Sequence, residues 1–456
     1  MLEEEKKEEL LALLTGKKYR ELKSQLVEMN EVDIASFIEE LDSEKTVVVF
    51  RMLPKELASE VFACLEVEQQ QHIITSITDN ELRAIIDDLY VDDAVDMLEE
   101  LPATIVRRVL QNSSPDTRKL INQFLNYPEN SAGSVMTAEY VGLKKNMTVE
   151  QAFDYIRKYG VDKETIYTCY VMDENRRLEG VVTVKDLLMN DYAALMGDIM
   201  DPHVIKAYTT EDQEKVVETF NEYNLLSLPV VDGEDRLVGI ITVDDVMDVM
   251  EQEATEDFEK MAAMLPSEKP YLKTGVFQLA RNRIPWLMIL MLSATFTGLI
   301  MTHFENALVA CTILTSFTPM LSGTGGNSGT QASTAVIRAL SLGEVRFRDT
   351  FRVIWKEARV ALLCGLMLAG ANFIKMMLVD RWMMHNPAVT VAVAAVVCAT
   401  LVCTVLCAKV VGCSLPILAE KLGLDPAVMA SPFISTVVDA ISLLVYFQIA
   451  TAVLHI

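Results

Sequence analysis

The feature that most constrains this chain is a boundary near Pro270, where a polar, acidic half gives way to long hydrophobic segments. Residues 1–270 contain 27 Lys and Arg against 57 Asp and Glu, whereas residues 271–456 contain 13 against eight. Apolar segments of about 20 residues match the thickness of the hydrocarbon layer of a bilayer. We therefore predict a soluble, acidic half followed by a membrane half.

Five hydrophobic spans are predicted in the membrane half: Pro285–Thr302, Ala307–Leu340, Val360–Leu378, Ala388–Val411 and Val428–Ile449. The loop after the second span, "RALSLGEVRFRDTFRVIWKEAR", carries six basic residues, and the loop after the first carries none. The positive-inside rule then places the second loop and the N-terminal half in the cytoplasm. With five spans, His455 and Ile456 are expected outside. The start "MLEEEKKEEL" does not have the pattern of a signal peptide.

The second predicted span is too polar for a helix that faces only lipid. Its stretch "PMLSGTGGNSGTQASTAVIRAL" contains two amides and several hydroxyls, and lipid leaves such groups unsatisfied. On a helix, Asn327, Gln331 and Thr334 fall on one face. The glycines of the stretch permit either close helix packing or a local break that frees backbone carbonyls: Gly323, Gly325, Gly326 and Gly329.

The last predicted span contains Asp439 near the middle of an apolar run. A carboxylate at that depth is costly, so by default it marks an ion path. Ser431, Ser435 and Ser442 share a helical face with it, and Pro432 frees a backbone carbonyl. A lining of carboxylate, hydroxyl, amide and carbonyl oxygens suits a hard cation. Because the carboxylates are few, the pattern favours an ion that keeps much of its water, as Mg²⁺ does.

Residue types disfavour several other classes of protein. No His or Cys joins the polar face, which argues against Zn²⁺ or Cu⁺ as preferred cargo, although the pair Cys403 and Cys407 leaves a soft-metal site open as an alternative. The sequence "GTGGNSG" lacks the Lys of a phosphate-binding loop, and no nucleophile–base set is visible, so we do not expect an enzyme. A strongly acidic half does not suit nucleic acid as a partner.

The acidic half itself has three parts. Residues 1–128 show apolar residues at helical spacing, with breaks at Leu53-Pro54 and Leu101-Pro102, which predicts a superhelix of short helices. The stretch "NYPENSAGS" is typical of a linker. Two related β-rich units follow, each with the motif G-h-h-T-h-x-D (h is apolar), at Gly180–Asp186 and Gly239–Asp245. One acidic helix comes next, and its like charges oppose helix formation unless cations bind.

The repeat resembles a tandem pair of CBS domains, and the order of parts along essentially the whole chain resembles the MgtE magnesium channel/transporter family. The likeness is strongest in "VDDVMDVMEQEATED", "GTGGNSGTQASTAVIRAL" and "LDPAVMASPFISTVVDAISLLVYF". It implies a multidomain fold: an all-α superhelical N-domain, an α+β tandem CBS pair, an acidic connecting (plug) helix and a five-helix transmembrane domain. The expected bounds are 1–128 for the N-domain, 129–198 and 199–246 for the CBS domains, 247–270 for the plug helix and 271–456 for the pore domain.

The resemblance implies a homodimeric Mg²⁺ channel in the plasma (inner) membrane, with its pore between the protomers. Asp439 would be the central ion ligand, and Asp425 would lie at the cytoplasmic mouth. Ser431 stands where some relatives carry Asn. The remaining expected pore residues are Gly326, Asn327, Gln331, Ser431 and Ser435.

The resemblance also implies regulation. In the family, cytosolic Mg²⁺ bridges acidic residues of the N-domain, the CBS pair and the plug helix, and locks the pore shut. The matching residues are Glu60, Asp92, Asp96, Asp212, Glu214, Asp245, Asp248, Glu253, Glu256 and Asp257. In many CBS pairs the Thr and Asp of the repeated motif hold a nucleotide, so Thr183, Asp186 and Thr242 are candidates for binding ATP. Alternatively, the threonines simply end strands.

Two other functions stay open at this point. The chain could be a nucleotide sensor of the CBS type that uses its membrane half only as an anchor, or a broader carrier that also moves Co²⁺ or Mn²⁺. An anchor has no use for Asp439 or for the polar face of Pro319–Leu340, so these features discriminate against the sensor.

Overall fold

The computed structural model describes residues 4–267, 271–272, 274–305, 309, 311–429 and 431–454. The chain divides into two compact units, Met1–Met250 and Glu251–Ile456. The first unit holds the helical and β-rich parts, and the second holds the apolar helices. The predicted acidic helix, observed as Val243–Met261, runs from the first unit into the second.

Ten short helices form the start of the first unit: α1 Glu4–Thr15, α2 Tyr19–Val27, α3 Glu31–Glu39, α4 Ser43–Phe50, α5 Lys55–Ala63, α6 Val67–Ser76, α7 Asp79–Ile86, α8 Val91–Glu100, α9 Ala103–Asn112 and α10 Pro115–Phe124. Pro54 and Pro102 occupy the N-cap positions of α5 and α9. The helices therefore break where the sequence predicted. Isolated helices this short are marginal in water, so packing must hold them. Their apolar faces meet in one core that includes Phe37, Phe62 and Phe124, which confirms the all-α domain.

Two copies of a three-stranded sheet follow. Their elements are α11 Ala132–Val135, β1 Val141–Lys144, α12 Val149–Tyr159, β2 Thr168–Met172, β3 Leu178–Thr183, α13 Val184–Met189, α14 Met196–Ile199, β4 Ala207–Tyr208, α15 Gln213–Tyr223, β5 Ser227–Val231, β6 Leu237–Thr242 and α16 Val243–Met261. In each sheet the first two strands are parallel and the last two antiparallel. Each antiparallel pair shifts register at the equivalent position, after Val171 and after Val230, which confirms the repeat.

The segment predicted as a linker, Asn126–Ser134, is an ordered part of the second sheet's surroundings. The Gly133 amide donates to the Thr209 carbonyl oxygen at 3.0 Å, and Thr137 exchanges backbone hydrogen bonds of 2.7 and 2.9 Å with Ile240. A Cβ at Gly133 would come within 2.7 Å of that same carbonyl oxygen, so only glycine fits there. Pairing with the second repeat gives this polar stretch the backbone partners that a free linker would find in water.

The second unit is helical after α16. Its long helices are α17 Val276–His303, α18 Thr318–Ser341, α19 Thr350–Lys375, α20 Val391–Lys421 and α21 Ser431–Leu454. Short 3₁₀ turns lie at Thr312–Phe317, Phe347–Asp349 and Pro426–Met429, and a π-helix, Met376–Met383, extends α19. Among the described residues, four segments are long and apolar enough to cross a membrane: Val276–His303, Phe347–Met383, Val391–Lys421 and Pro426–Leu454.

The second predicted span, Ala307–Leu340, corresponds to α18. Part of its predicted beginning, residues 306–308 and 310, lies outside the described residues, as do His455 and Ile456 at the predicted outer terminus. The helix has 24 residues and is unbroken from Thr318 to Ser341, so the alternative of a local break is wrong. At about 1.5 Å per residue it is long enough to cross a bilayer, but its amides and hydroxyls make it less apolar than the other four.

Candidate ion pathway and acidic metal sites

The polar residues of α18 gather on one exposed face. Asn327, Gln331 and Thr334 are all exposed on this chain, as their helical spacing predicts, and Gly323 lies on the same side. Gly325 and Gly329 are buried. The helix therefore turns its small residues inward and its amides outward.

Three of the four glycines make close packing possible. A Cβ at Gly325 would approach the Thr404 methyl group to 2.7 Å and the Ser442 hydroxyl to 3.0 Å, and one at Gly329 would approach the Ile434 side chain to 2.7 Å. Gly326 faces Ser435, whereas nothing lies within 4 Å of a Cβ placed at Gly323. The packing explanation is thus confirmed for the buried glycines.

Asp439 lies where α21 meets α18. Its carboxylate is half-buried and accepts a hydrogen bond from the side chain of Ser322. One to two turns away, the Ser435 hydroxyl would lie 3.2 Å from a Cβ at Gly326. We call this line of contacts, Ser322–Asp439 and Gly326–Ser435, the polar seam.

Ser442, a predicted member of the α21 face, is 1% exposed. It packs against Gly325 of α18, the helix that Asp439 and Ser435 also contact. The backbone of Ser431 begins α21, and its side chain lies outside the described residues.

Asp425 is held between a backbone amide and a lysine. One carboxylate oxygen accepts from the Ala427 N–H at 2.7 Å, and the other lies 2.7 Å from Lys260 Nζ. Lys260 also lies 2.6 Å from Glu256, one turn earlier on α16. Burial and the charge of Asp425 raise the pKa of the neighbouring Asp257. The predicted mouth residue therefore contacts the predicted plug helix through a cation that belongs to the chain.

A second group of acidic side chains lies in the first unit, where α8 meets the CBS pair. We call it the acidic cluster; its members are Asp92, Asp93, Glu139, Glu164 and Asp245. Burial, followed by the charges of Asp93 and Asp245, raises the pKa of Asp92 well above its ordinary value. Within the described part of the chain, Asp92 Oδ1 is buried without a hydrogen-bond partner. A buried carboxylate oxygen of this kind needs a cation or a proton.

The pKa values of Asp93, Glu164 and Asp245 are raised as well. Burial, then the charge of Asp245, raises the pKa of Asp93 to about 6 and that of Glu164 to about 7. Desolvation and Glu99 raise the pKa of Asp96 to about 7, but more than a third of Asp96 is exposed, so water screens it better than it does Asp92. The cluster is a set of like charges held together by the fold.

The cluster is not an assembled coordination shell. In the described ranges, no three His, Cys, Asp or Glu side chains stand close enough together to hold a metal ion. Carboxylates at this spacing repel one another, and a cation between them would reduce that repulsion. The residue types fit Mg²⁺, since its ligands are oxygens and it keeps several waters.

The remaining regulatory candidates are spread over the chain. Glu60 lies near Glu31 and Asp88, whose charges add to burial in raising its pKa. Asp212 caps α15 by accepting from the Glu214 N–H at 2.9 Å, so the structure gives it a local role. Asp248 is exposed on α16, and Glu253 lies further along that helix. The structure brings Asp92 and Asp245 together, and their roles as metal ligands stay predictions.

The repeated Thr and Asp form helix caps. Thr183 Oγ1 donates to Asp186 Oδ2 at 2.6 Å at the start of α13, and Thr242 Oγ1 donates to Asp245 Oδ2 at 2.7 Å at the start of α16. Both threonines end strands, as the alternative reading expects. Only the second cap also orients a member of the acidic cluster.

Sequence reasoning missed several residues that the structure places at these sites. Asp93 carried a signal, because it adjoins Asp92 in "DDAVD". Lys260 also carried one, as the lone base of the acidic helix. Glu139 and Glu164 gave none, because they come from segments of the first repeat with no acidic pattern.

Comparison with protein families matches most of the chain. The family described as "Divalent cation transporter" (MgtE) matches residues 318–449, the MgtE intracellular N domain matches residues 29–130, and CBS domains match residues 132–191 and 196–252. These ranges cover α18 to α21, most of the short helices and both sheets.

Curated relatives match over nearly the full length. The magnesium transporter MgtE of Thermus thermophilus is 38% identical over 96% of this chain and 96% of its own. That of Bacillus subtilis is 31% identical over 98% of this chain and 97% of its own.

Two solved structures resemble the first part of the chain. One, described as the soluble part of a magnesium transporter, is 30% identical, has a TM-score of 0.53 and covers 55% of this chain and 99% of its own. The other, the cytosolic domain of the Mg²⁺ channel MgtE in complex with ATP, is 38% identical, has a TM-score of 0.50 and covers 53% of this chain and 98% of its own. With its family domains matched in order and its relatives covered end to end, the chain belongs to the MgtE family of divalent cation transporters.

Proposed function

We propose that this protein takes up Mg²⁺ across the plasma (inner) membrane, as a channel or transporter rather than an enzyme. The observation that carries the proposal is Asp439, a half-buried carboxylate in an apolar helix that meets a serine hydroxyl in the polar seam. A lone carboxylate at this depth needs water, a donor or a cation. An oxygen-lined path of this kind suits a hydrated hard cation.

The exposed face of α18 supports a homodimer. Asn327, Gln331 and Thr334 are exposed on a helix that lies among membrane spans, and lipid cannot satisfy their polar atoms. A second copy of the chain would cover this face and would bring two Asp439 carboxylates towards a shared axis. Mutual repulsion between the two carboxylates would favour a divalent ion between them. Ser435, Gly326 and, at the mouth, Asp425 complete the proposed lining.

The basic loop between α18 and α19 supports the proposed orientation. In that orientation the N-terminal domains would lie in the cytoplasm and the C-terminus outside. The acidic domains then face the ion that has entered.

We further propose that cytosolic Mg²⁺ closes the pathway by binding the acidic residues. Asp92 and Asp245 would hold an ion with water in the acidic cluster, and Glu256 and Asp257 would contribute on the plug helix. Burial and then the neighbouring charges raise the pKa values of Asp92 and Asp93; a bound ion would offset both costs and so stabilise the compact arrangement. The orphaned Asp92 oxygen supports this proposal.

A nucleotide is a further candidate ligand. A related cytosolic domain has been solved in complex with ATP. We propose that ATP, if it modulates this protein, binds the CBS pair near the motif residues Thr183, Asp186 and Thr242. The hydroxyls of Thr183 and Thr242 donate to Asp186 and Asp245 in the helix caps, so a nucleotide would compete with these caps.

Ion flux into liposomes tests the proposal. Purified protein is reconstituted, and Mg²⁺ entry is followed with an enclosed fluorescent indicator at several internal Mg²⁺ concentrations. We expect entry that falls as internal Mg²⁺ rises. A membrane-anchored sensor would give no entry at any internal concentration. Competition by Co²⁺ and Mn²⁺ in the same assay separates a Mg²⁺ pathway from a broader carrier.

A further inference from the structure

The contact between Lys260 and Asp425 joins two distant parts of the second unit. Lys260 is the one basic residue of α16, a helix that otherwise carries only acidic charge. Its ammonium lies 2.6 Å from Glu256 and 2.7 Å from Asp425, so it bridges two carboxylates. The Glu256 contact alone would be an ordinary helical pair four residues apart. The Asp425 contact connects the helix to the start of the turn Pro426–Met429.

The surroundings of Lys260 make this contact more than a surface ion pair. Its side chain is 23% exposed, and those of Glu256 and Asp425 are 34% and 33% exposed. Partly excluded water strengthens the attraction over that of fully exposed pairs. Desolvation lowers the pKa of Lys260, but Asp425 and Glu256 outweigh it and raise that pKa to about 12, so the lysine stays charged.

The bridge neutralises charge that would otherwise separate these elements. Asp257 lies beside Asp425, close enough for the two charges to interact. Without Lys260, the carboxylates of Glu256, Asp257 and Asp425 would face one another with no basic side chain between them. The ammonium thus occupies the place that a bridging cation would take between a helix carboxylate and the mouth carboxylate.

We propose that Lys260 is a built-in cation that holds the acidic helix against Asp425 when metal is absent, and so gives the closed state a component that does not depend on Mg²⁺. The inference rests on the proposed function, in which Asp425 lies at the mouth of the ion pathway. It assigns Lys260 a positioning role. An incoming divalent ion must displace this ammonium to reach the outer oxygen of Asp425.

Hydrogen–deuterium exchange on the full-length protein tests the bridge without measuring transport. In EDTA, Lys260→Gln should increase the exchange of residues 251–264 and 424–429 by about two- to fivefold, the range expected for losing a partly screened ion pair. Saturating Mg²⁺ should restore the slow exchange. Lys260→Arg should stay close to the parent protein. The matched control is Lys215→Gln, which removes a lysine from a similar helical pair with Glu211 at 2.6 Å.

The two variants separate the possible outcomes. Equal exchange in Lys260→Gln and Lys215→Gln would overturn the proposal. Fast exchange that Mg²⁺ does not reverse would overturn it too, because Lys260 would then support the local fold rather than stand in for a metal ion.

Liposome flux gives a second readout that also isolates the proposed function. At low internal Mg²⁺, Lys260→Gln should conduct about two- to fivefold faster than the parent, while high internal Mg²⁺ should still close it. Parent protein that conducts, together with a Lys260→Gln variant of identical Mg²⁺ dependence, would overturn the bridge and leave the function intact. Parent protein that does not conduct would contradict the function itself, and the exchange experiment would then decide the bridge alone.

Discussion

The acidic cluster and the polar seam differ in how many carboxylates they bring together. In the cluster, Asp92, Asp93 and Asp245 lie near two further carboxylates. Burial, followed by the neighbouring charges, raises the pKa values of these three aspartates. The seam contains a single carboxylate, Asp439, with a hydroxyl donor beside it. Crowded charge stores repulsion that a cation can relieve, which suits a sensor. Isolated charge attracts an ion without holding it through many ligands, which suits a pathway.

Replacing Asp439 should break the seam and leave the cluster unaffected, with the largest effect of the changes considered. Asp439→Ala should lower Mg²⁺ flux by more than about tenfold, because the charge that attracts the ion is lost. Asp439→Asn should fold and conduct poorly, since it keeps the shape but not the charge. The measurement is Mg²⁺-dependent growth of an uptake-deficient host, with expression checked by blotting.

The matched control is Glu344→Gln, which removes an exposed acid from the loop after α18. It should support growth as the parent does. Full growth with well-expressed Asp439→Ala would remove Asp439 from the pathway.

The next change tests the close packing of α18, which carries one side of the seam, against α20. A Cβ at Gly412 would collide with the Gly329 carbonyl group, so Gly412→Leu should push α20 away from α18 and destabilise the bundle by about 1–3 kcal/mol or more. Gly298→Leu is the control, because nothing lies within 4 Å of a Cβ at that position. Thermal stability in detergent measures both variants. Equal stability would show that the close approach of α18 and α20 is not required.

The third prediction concerns the pH dependence of the cluster. The folded-state pKa values of Asp93 and Glu164 lie near 6 and 7, above the ordinary values of 3.8 and 4.5. A raised folded pKa gives stability that is present below the ordinary pKa and is lost as pH rises through the folded pKa. Metal-free protein should therefore lose stability between about pH 4 and 7, by about 1–3 kcal/mol. Urea unfolding of residues 1–250 in EDTA measures this loss.

Bound Mg²⁺ and single substitutions should each change how the free energy of unfolding depends on pH. Bound Mg²⁺ should reduce the loss at high pH, and its affinity should fall below about pH 7, because protons compete for the same oxygens. Asp93→Asn should flatten the dependence, whereas Glu222→Gln, at an exposed position, should not. A metal-free stability that rises from pH 4 to 7 would contradict the pKa directions.

The success of sequence reasoning also differed between the two regions. Helical spacing and the prolines at 54 and 102 predicted the short helices, and the i, i+4, i+7 spacing predicted the exposed face of Asn327, Gln331 and Thr334. Those features depend on local periodicity, which a sequence displays directly. Depth of burial is not displayed in this way: only the packing of α21 against Gly325 shows that Ser442 is buried.

Contacts between segments that are distant in sequence were the other feature that sequence reasoning did not predict. The approach of Glu139 and Glu164 to Asp92 depends on how α8 packs against the first repeat, and no spacing along the chain reports it. The Lys260–Asp425 bridge is of the same kind. In both cases the residue types were visible and their proximity was not. The resemblance to a family supplied Asp92, Asp245 and Asp425, but it did not supply Glu139, Glu164 or Lys260.

The smallest predicted effect compares the Thr–Asp helix caps of the two repeats. Both caps have the hydrogen bond from the Thr hydroxyl to the Asp carboxylate, but only the second contains a member of the acidic cluster. Thr183→Ala and Thr242→Ala should each destabilise residues 1–250 by about 1 kcal/mol, because each removes the hydroxyl at a strand–helix junction. Asp186 is half-buried and serves only the cap of α13, whereas Asp245 belongs to the acidic cluster as well. Freed from Thr242, the Asp245 carboxylate loses its fixed orientation, so Thr242→Ala should also raise the Mg²⁺ concentration needed to protect the protein from proteolysis. Thr183→Ala should leave that concentration unchanged, although its loss of stability is the same.

Limited proteolysis across a Mg²⁺ titration, beside urea unfolding of the same two variants, makes the comparison. Equal midpoints in the titration would mean that Thr242 caps a helix and does no more, and that the cluster's response to Mg²⁺ does not depend on how Asp245 is held.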